Sequence, residues 1–417
     1  MEKLRNQFHP KMTKHTLKRS LSLPMMVFYG LGNILGAGIY VLIGKVSATA
    51  GVYVPFAFLL SAIIVSFTSF TYAELSARFP ESSGEAAYIF YGFQLKGLAT
   101  FIGLMICMSG IVSSATISHG FVGYVGHFIQ LPDYFLIIAM FAVLGLLAIW
   151  GISESITVAS MFTILEIAGL LYIIYLARDQ VFAMNGHWSK MGIPTDAKSI
   201  SGVFMGAFLA FYAYLGFEDM VNVAEEVKQP SINMPRAIFI SLIVSSLIYV
   251  LIAAAASFSV PVEVLANSEA PLATVYTHIT GKDPTFISII GVFAVINGAL
   301  IQIIMASRLI YGMSNRKWLP NIFSKIHPGT RTPIIATIFV VFLMLTFALF
   351  FEIVTLASIT SAMVLSVFAL VNWALIRIKK HSPTAENVKV YPVWVPYAGF
   401  WLCIGFLTIQ LFLLISL

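Results

Sequence analysis

Two glycines that would expose backbone amide groups lie inside the first long apolar run of the chain. Gly36 and Gly38 flank Ala37 near the middle of residues 24–44. Glycine leaves helical geometry more readily than other residues, and it lets a ligand approach the backbone closely. A helix that restarts here begins with unpaired N–H groups and a positive dipole end, which suit a carboxylate.

A second interruption lies in the apolar run 200–225. Gly216 stands just before two adjacent acids, Glu218 and Asp219, which are costly in such a run unless they face protein or water. A helix that ends near Tyr214–Phe217 offers unpaired carbonyl groups, which suit an ammonium group. The two interruptions together match the two charges of an α-amino acid. Packing glycines combined with a simple kink are the alternative interpretation.

Glu166 is the third residue whose position implies chemistry, because it lies at the centre of the apolar run 155–177. At about 1.5 Å per residue it would be roughly 16 Å from either end of a helix, close to the bilayer midplane. A charged carboxylate there costs at least a few kcal/mol unless it is neutralised or paired. Two interpretations stay open: Glu166 carries a proton, or it packs the fifth span against the first and eighth.

The elements that position these residues must be membrane helices. The 417 residues are 59% hydrophobic and only 10% charged, whereas soluble domains average about 25% charged residues. Apolar runs near 20 residues recur along the chain, and the ten-residue alternation of membrane barrels is absent. A soluble enzyme is excluded, and the lipid bilayer is an implied partner. Cys107 and Cys403 lie in apolar runs and predict no disulfide framework.

We predict eleven spans from the apolar runs. They are residues 24–44, 52–77, 97–128, 132–150, 155–177, 200–225, 236–260, 284–313, 333–351, 353–376 and 395–417. With the N-terminus inside the cell, 19 of the 24 Lys and Arg residues fall on the cytoplasmic side. Eleven spans then place the C-terminus outside. The net charge of +6 reflects this orientation and does not indicate nucleic acid.

The interruptions fall in the first and sixth spans, which are corresponding positions if five helices are repeated in inverted orientation. Interrupted helices at matching places point to the central site of a transporter. The predicted organisation is a basic cytoplasmic tail (1–23), two five-helix repeats (24–177 and 200–376), and a loop with an extra helix (377–417).

Four motifs carry a resemblance to a known family. They are GAGIYVLIG from Gly36, YAELSARFPESSGEAAYIF at Tyr72–Phe90, YLGFEDMVNVAEEVKQPSINMPRAI at Tyr214–Ile238, and SRLIYGMSN at Ser307–Asn315. The sequence resembles the amino acid–polyamine–organocation (APC) superfamily of transporters, and within it bacterial permeases related to the cationic amino acid transporter branch.

The resemblance implies a LeuT-like five-plus-five inverted-repeat fold, all-α and polytopic, with substrate held between spans one, three, six and eight. In such a fold the amides of Gly36, Ala37 and Gly38 receive the substrate carboxylate. The carbonyls of Ile34 and of Tyr214 or Leu215 receive the amino group. The other implied roles are an aromatic gate at Tyr212, a side-chain pocket at Phe217, and an inner gate or pH sensor at Glu218.

The sequence therefore predicts a permease of the cell membrane that moves amino acids by alternating access, with a proton as coupling ion. Exchange of an amino acid for an amine and polyamine transport stay open as alternatives; a channel or a receptor would be a different class. We find no catalytic cluster, metal-ligand spacing or nucleotide loop, so no enzyme activity, metal or cofactor is predicted. Neutral and cationic amino acids stay open as substrates.

Overall fold

The computed structural model describes residues 17–125, 128–182, 188, 191–268, 270–350 and 354–416, so residues 1–16 of the predicted tail lie outside it. Within these ranges the chain is helical and forms no strand. The long helices, labelled in chain order, are α1 (Leu23–Ala50), α2 (Val54–Arg78), α3 (Lys96–Val125), α4 (Asp133–Trp150), α5 (Ile152–Leu176), α6 (Ala197–Ala213), α7 (Pro230–Ser259), α8 (Thr285–Asn315), α9 (Ile334–Phe350), α10 (Val354–His381) and α11 (Trp394–Ser416).

The helices are those of a polytopic membrane protein, as the sequence predicted. Nine stretches of the described chain are long and apolar enough to cross a bilayer, and two shorter apolar helices, Ile334–Phe350 and Trp394–Ile409, accompany them. Large apolar side chains such as Leu146, Phe342 and Trp401 are exposed on the outside of the bundle. An apolar exterior suits a lipid solvent, in which helices satisfy their own backbone groups.

The sixth predicted span, 200–225, agrees with the apolar stretch Ala197–Glu226. It is interrupted where the sequence predicted, since α6 ends at Ala213 and a 3₁₀ helix follows over Glu218–Glu226. Helix α7 begins at Pro230 instead of residue 236, and Pro235 lies inside it. The short helices Gly84–Phe93 and Pro271–Thr280 were not predicted, because both are too short to give a membrane signal.

The helix pairings have the pattern of a two-fold repeat. The most extensive contacts join α2 with α7 and α3 with α8, and α1 with α6 comes next. Each pair combines helices of the same rank in two sets of five, which is the relation that an inverted repeat produces. The boundaries 24–177 and 200–376 of the repeats stay a prediction.

One end of the bundle carries Arg78, Arg316, Arg377 and Lys379, and we call it the basic end. At this end a buried carboxylate, Glu74, holds α2 to α10. The Glu74 carboxylate lies 2.8 Å from both Arg78 Nη2 and Lys379 Nζ, and it accepts the backbone N–H of Tyr391 at 2.9 Å. This acid is therefore fully paired. By the distribution of Lys and Arg the basic end is the predicted cytoplasmic end.

Candidate functional site

The first helix is interrupted at a single residue. Gly36 has φ −42° and ψ −128°, and helical geometry resumes on both sides of it. A Cβ at Gly36 would lie 3.5 Å from the Ala294 carbonyl oxygen of α8, an ordinary contact distance. At Gly38 a Cβ would lie 2.8 Å from the Cα of Ala213. Gly38 is therefore needed for the close approach of α1 to α6, whereas Gly36 has room for a methyl group.

The interruption of α6 is longer. After Ala213 the chain turns through residues 214–217 and then continues as a 3₁₀ helix. Gly216 has φ +129°, a conformation that L side chains rarely adopt, and its N–H donates to the Glu218 carboxylate at 2.8 Å. The side-chain amide of Asn33 from α1 donates to the Gly216 carbonyl at 2.9 Å. The turn is thus held by its own acid and by the neighbouring broken helix.

Tyr249 of α7 connects the two interruptions. Its hydroxyl lies within hydrogen-bond distance of the Ile34 carbonyl on α1 and, at 2.9 Å, of the Ala213 carbonyl on α6. A tyrosine hydroxyl has one proton, so the two carbonyls share one donor. The side chain is fully buried. Tyr249 therefore satisfies carbonyl groups that the two helix breaks release.

Two small cavities lie between the breaks. The first, about 30 Å³, is lined by Asn33, Ile34, Gly38, Ser113, Ile117, Tyr212, Ala213, Leu215, Gly298 and Gln302. The second, about 20 Å³, is lined by Ser109, Gly110, Ser113, Leu215, Glu218, Asp219, Gln302, Thr360 and Val364. Neither cavity has room for an amino acid, so the space between the breaks is narrow in this conformation. Ser113, Leu215 and Gln302 line both cavities.

Four of the predicted substrate residues line the first cavity, namely Ile34, Gly38, Tyr212 and Leu215. The Tyr212 hydroxyl lies 2.9 Å from that of Ser113, so the predicted gate residue joins α6 to α3. The Ile34 carbonyl, predicted to receive an amino group, is within reach of Tyr249. Gly36 and Ala37 lie at the break itself, and the side chain of Ala37 is outside the described residues.

Two of the predicted site residues have side chains engaged elsewhere. The Tyr214 hydroxyl donates to the Phe58 carbonyl at 3.2 Å, away from the cavities. The Phe217 ring packs edge-on against Tyr72 and also contacts Phe368, each with ring centroids 5.4 Å apart. Only the backbone of Tyr214 can therefore serve the site in this conformation. The aromatic contacts of Phe217 explain its burial without a ligand.

The sequence identified Asp219 as a costly acid near the α6 break, but not the partners that make it the organising group there. Asp219 Oδ2 accepts hydrogen bonds from Asn33 Nδ2 at 2.6 Å and from Gln302 Nε2 at 2.8 Å. Asn33 belongs to α1 and Gln302 to α8, so one carboxyl joins three helices. We call Asn33, Asp219 and Gln302 the Asp219 centre. Both carboxamides lie in apolar runs, and that polarity was the available signal.

Glu166 forms a second centre of the same type. Asn297 Nδ2 of α8 lies 2.9 Å from both Glu166 Oε1 and Thr163 Oγ1 of α5. Glu166 is fully buried, and its Oε2 has no hydrogen-bond partner among the described residues. A Cβ on Gly32 of α1 would collide with Thr163 and Asn297. The Glu166 centre (Thr163, Glu166 and Asn297) thus joins α5, α8 and α1, and Asn297 makes the hydrogen bonds between α8 and α5.

A family model described as "Amino acid permease" matches residues 21–416. The branched-chain amino acid permease BcaP of Bacillus subtilis is 28% identical over 397 residues, which cover 88% of this chain and 82% of the relative. A methylthioribose transporter of the same organism is 26% identical, with 94% and 88% covered.

Vacuolar cationic amino acid transporter 2 of Arabidopsis thaliana is 27% identical over 382 residues, covering 86% of this chain. The match covers 59% of that relative's length. All three are transporters and none is named as an enzyme, which agrees with the prediction from the motifs. The family model spans nearly the whole chain, both helix breaks included, and the protein therefore belongs to the amino acid permease family of the APC superfamily.

Proposed function

We propose that the protein is a secondary active transporter of the cell membrane that carries amino acids by alternating access and couples this transport to protons. The observation that carries the proposal is the meeting of two broken helices around a closed, polar-lined cavity. Asn33, Tyr212 and Gln302 supply side-chain polar groups to it, and the breaks supply backbone groups. The same arrangement supports symport with an amino acid as substrate over a pore that is permanently open.

The backbone groups suggest how the substrate binds. The amides of Gly36, Ala37 and Gly38 begin the outer half of α1 and suit the carboxylate, because a helix N-terminus favours negative charge. The Tyr214 and Leu215 carbonyls lie in the turn that follows α6 and suit the ammonium group. A carbonyl oxygen has two lone pairs, so the Ile34 carbonyl can accept from the ammonium group while Tyr249 occupies one of them.

Closure on the two sides of the site would use different contacts. The Tyr212–Ser113 contact joins α6 to α3, and we propose that it covers the site on the outer side. Towards the basic end the 3₁₀ helix that follows α6 (Glu218–Glu226) covers the site, and its Glu218 lines the second cavity. Release of one contact at a time gives alternating access.

We propose Glu166 as the proton carrier. The carboxyl is fully buried, and no basic side chain of the described chain forms an ion pair with it. A lone ionised carboxylate in such a place is costly, so the neutral acid is the stable form of this closed state. The contact of the Glu166 centre with α1 at Gly32 gives protonation a route to the first broken helix.

Reconstitution into liposomes tests the coupling. Uptake of radiolabelled amino acid is measured with an inward proton gradient and empty vesicles, and separately as counterflow at equal pH. Symport predicts gradient-driven accumulation in empty vesicles. Uptake only into vesicles preloaded with an amino acid or an amine would show instead that the protein is an exchanger.

The substrate is identified by a thermal-shift screen followed by counterflow. The relatives are named for branched-chain amino acids, cationic amino acids and methylthioribose, so the screen includes these three and a polyamine. A ligand that binds the folded protein raises its melting temperature by mass action. Stabilisation by amino acids supports the proposal, whereas stabilisation by methylthioribose or a polyamine alone would replace amino acids as the substrate class.

A further inference from the structure

A buried acid at the basic end, Glu85, forms no ion pair with a basic side chain of the described chain. Glu85 lies on the short helix Gly84–Phe93 and is fully buried. Its Oε2 accepts one hydrogen bond, from Asn222 Nδ2 at 3.3 Å. Its Oε1 has no hydrogen-bond partner in the described part of the chain. Asn222 belongs to the 3₁₀ helix that follows α6, so this contact joins the short helix to the second part of the broken sixth span.

The groups around Glu85 are phenols and acids. Tyr72 of α2 and Tyr88 of the same short helix face it, and so do Asp219 and, beyond Tyr72, Glu218. Two basic residues on neighbouring elements are engaged elsewhere. Arg377 of α10 donates to the Gly92 carbonyl near the far end of the short helix, and Lys96 of α3 donates to the Lys317 carbonyl.

Glu74 shows what a fully paired acid looks like at this end of the bundle. Both acids are fully buried, but Glu74 is paired with Arg78 and Lys379. Glu85 has no cation beside it among the described residues, and its polar neighbours are the Asn222 carboxamide and the Tyr72 hydroxyl. Burial raises the pKa of the Glu85 carboxyl from 4.5 to about 8, and the nearby Asp219 acts in the same direction. Glu85 is therefore a neutral acid at neutral pH as long as the packing around it stays closed.

The packing on Glu85 is tight and lies on the route by which the basic end must open. A Cβ at Gly84 would lie 2.3 Å from Asn222 Oδ1, and the backbone N–H of Ser82 donates to Glu225 at 3.0 Å. The loop and short helix thus close against residues 222–225. Opening towards the basic end requires these contacts to separate, and that separation would admit water to Glu85.

We propose that Glu85 is a proton-binding site that holds the basic end closed while it is protonated and releases its proton when that end opens. The proposal rests on the alternating access of the proposed function, but not on proton symport. Glu85 differs from Glu166 in position and in role. It lies beside the 3₁₀ helix that follows α6, and it responds to the pH on the side of the basic end.

The direction of the pH effect follows from the two states. In the closed state Glu85 holds its proton up to about pH 8, and in a hydrated open state it loses the proton near its ordinary value of 4.5. Between pH 4.5 and about pH 8, opening releases a proton. The equilibrium constant for opening therefore rises by up to about tenfold per pH unit in this range and levels off above about pH 8.

Cysteine accessibility at Ala224 measures this opening. Ala224 is buried in the 3₁₀ helix that follows α6. In the protein used for labelling, the two native thiols, Cys107 and Cys403, are replaced by alanine. Maleimide labelling of Ala224→Cys in detergent is followed from pH 5 to 9 and divided by the labelling of denatured protein at the same pH. For Ala224→Cys we expect the normalised labelling to rise by at most about tenfold per pH unit, up to about pH 8. When Glu85→Gln is added, we expect the labelling to change less than about twofold over the same pH range.

Two further variants separate proton binding from structural support. Glu85→Asp keeps the carboxyl and is expected to restore the slope with a shifted midpoint, whereas Glu74→Gln removes a paired acid and is expected to keep the slope. A slope that survives in Glu85→Gln would overturn the proposal, and so would a wild-type background that labels equally at pH 5 and 8. Loss of the slope in Glu85→Asp would also overturn the proposal, because it would show that Glu85 has a purely structural role. A failure of the proposed function would appear separately, as absent transport in liposomes.

Discussion

The two broken helices differ in what their breaks require. In α1 the break is one residue, Gly36, and a methyl group would fit there. In α6 the break is a four-residue turn with Gly216 at φ +129°, followed by a change to 3₁₀ geometry. The first break leaves room for a Cβ between α1 and α8, whereas the second requires the glycine backbone of Gly216 and an acid that binds its N–H.

Each break also has its own carboxyl centre, and α8 supplies a carboxamide to both. Asn297 donates to Glu166 beside α1, and Gln302 donates to Asp219 at the α6 break. The Asp219 centre has two donors on one oxygen and holds the turn in place, whereas Glu166 has one donor and an unpartnered oxygen within the described chain. The comparison suggests a division of labour in which the Asp219 centre builds the site and the Glu166 centre couples it to protons.

The strongest test of the comparison is Gly216→Ala with Gly36→Ala as its matched control. At Gly216 an alanine is strained by the positive φ, and its Cβ would lie 2.7 Å from Asn33 Nδ2. We expect counterflow to fall at least about 100-fold, because backbone strain of about 1–3 kcal/mol adds to the loss of the Asn33 bonds. Gly36→Ala, at a negative φ with room for a Cβ, should lose clearly less than Gly216→Ala. Equal losses in the two variants would show that the breaks do not differ.

Asp219→Leu tests whether the Asp219 centre builds the site. The leucine would leave the Asn33 and Gln302 amides without their acceptor, at about 1–3 kcal/mol for each buried donor. We expect counterflow at equal pH to fall about 30-fold. Asp219→Asn keeps an oxygen in place and should lose less. If the leucine variant transports as well as the asparagine variant, the carboxamide bonds are not what shapes the site.

Glu166→Gln tests the coupling half of the comparison. The amide keeps an oxygen for Asn297 but carries no titrating proton. With one proton per substrate and a gradient of one pH unit, accumulation by the wild type approaches about tenfold, and we expect the variant to lose it. Counterflow at equal pH should persist. Accumulation at the wild-type level in the variant would move the proton site away from Glu166 and leave this carboxyl a packing role.

Tyr249→Phe should give the smallest effect, and it asks whether the breaks act together. The change removes one hydroxyl that both the Ile34 and Ala213 carbonyls approach. A neutral hydrogen bond contributes about 1 kcal/mol, so we expect about a fivefold lower counterflow rate. Thermal unfolding of the variant serves as the control for folding. A wild-type rate would mean that the two breaks work without this connection.

The sequence was enough to place the two breaks but not to distinguish them. Gly36 and Gly216 carry the same signal, a glycine inside an apolar run. The positive φ of Gly216 and the room around Gly36 depend on the helices that lie opposite, from residues far away in the chain. For the same reason the sequence does not show that the Phe217 ring contacts Tyr72 and Phe368.

The side chains that organise the site were present in the sequence without visible partners. Asn33, Tyr249 and Gln302 lie on three different helices, and each lies within an apolar run. Membrane helices are apolar on all sides, so their periodicity does not reveal which face meets which neighbour. A polar residue in such a run signals that a partner is needed, but not which residue is the partner.

By itself the sequence determined the membrane environment, the family, the two interrupted helices and the unusual position of Glu166. These follow from composition, from local motifs and from the cost of a charge in lipid, all of which can be read along the chain. Only the tertiary structure decided that Asp219 joins three helices, that Tyr249 serves both breaks, and that Glu85 lacks the cations that pair with Glu74. The reason is physical, because a buried polar group depends on its partners in space, and helix packing brings those partners together.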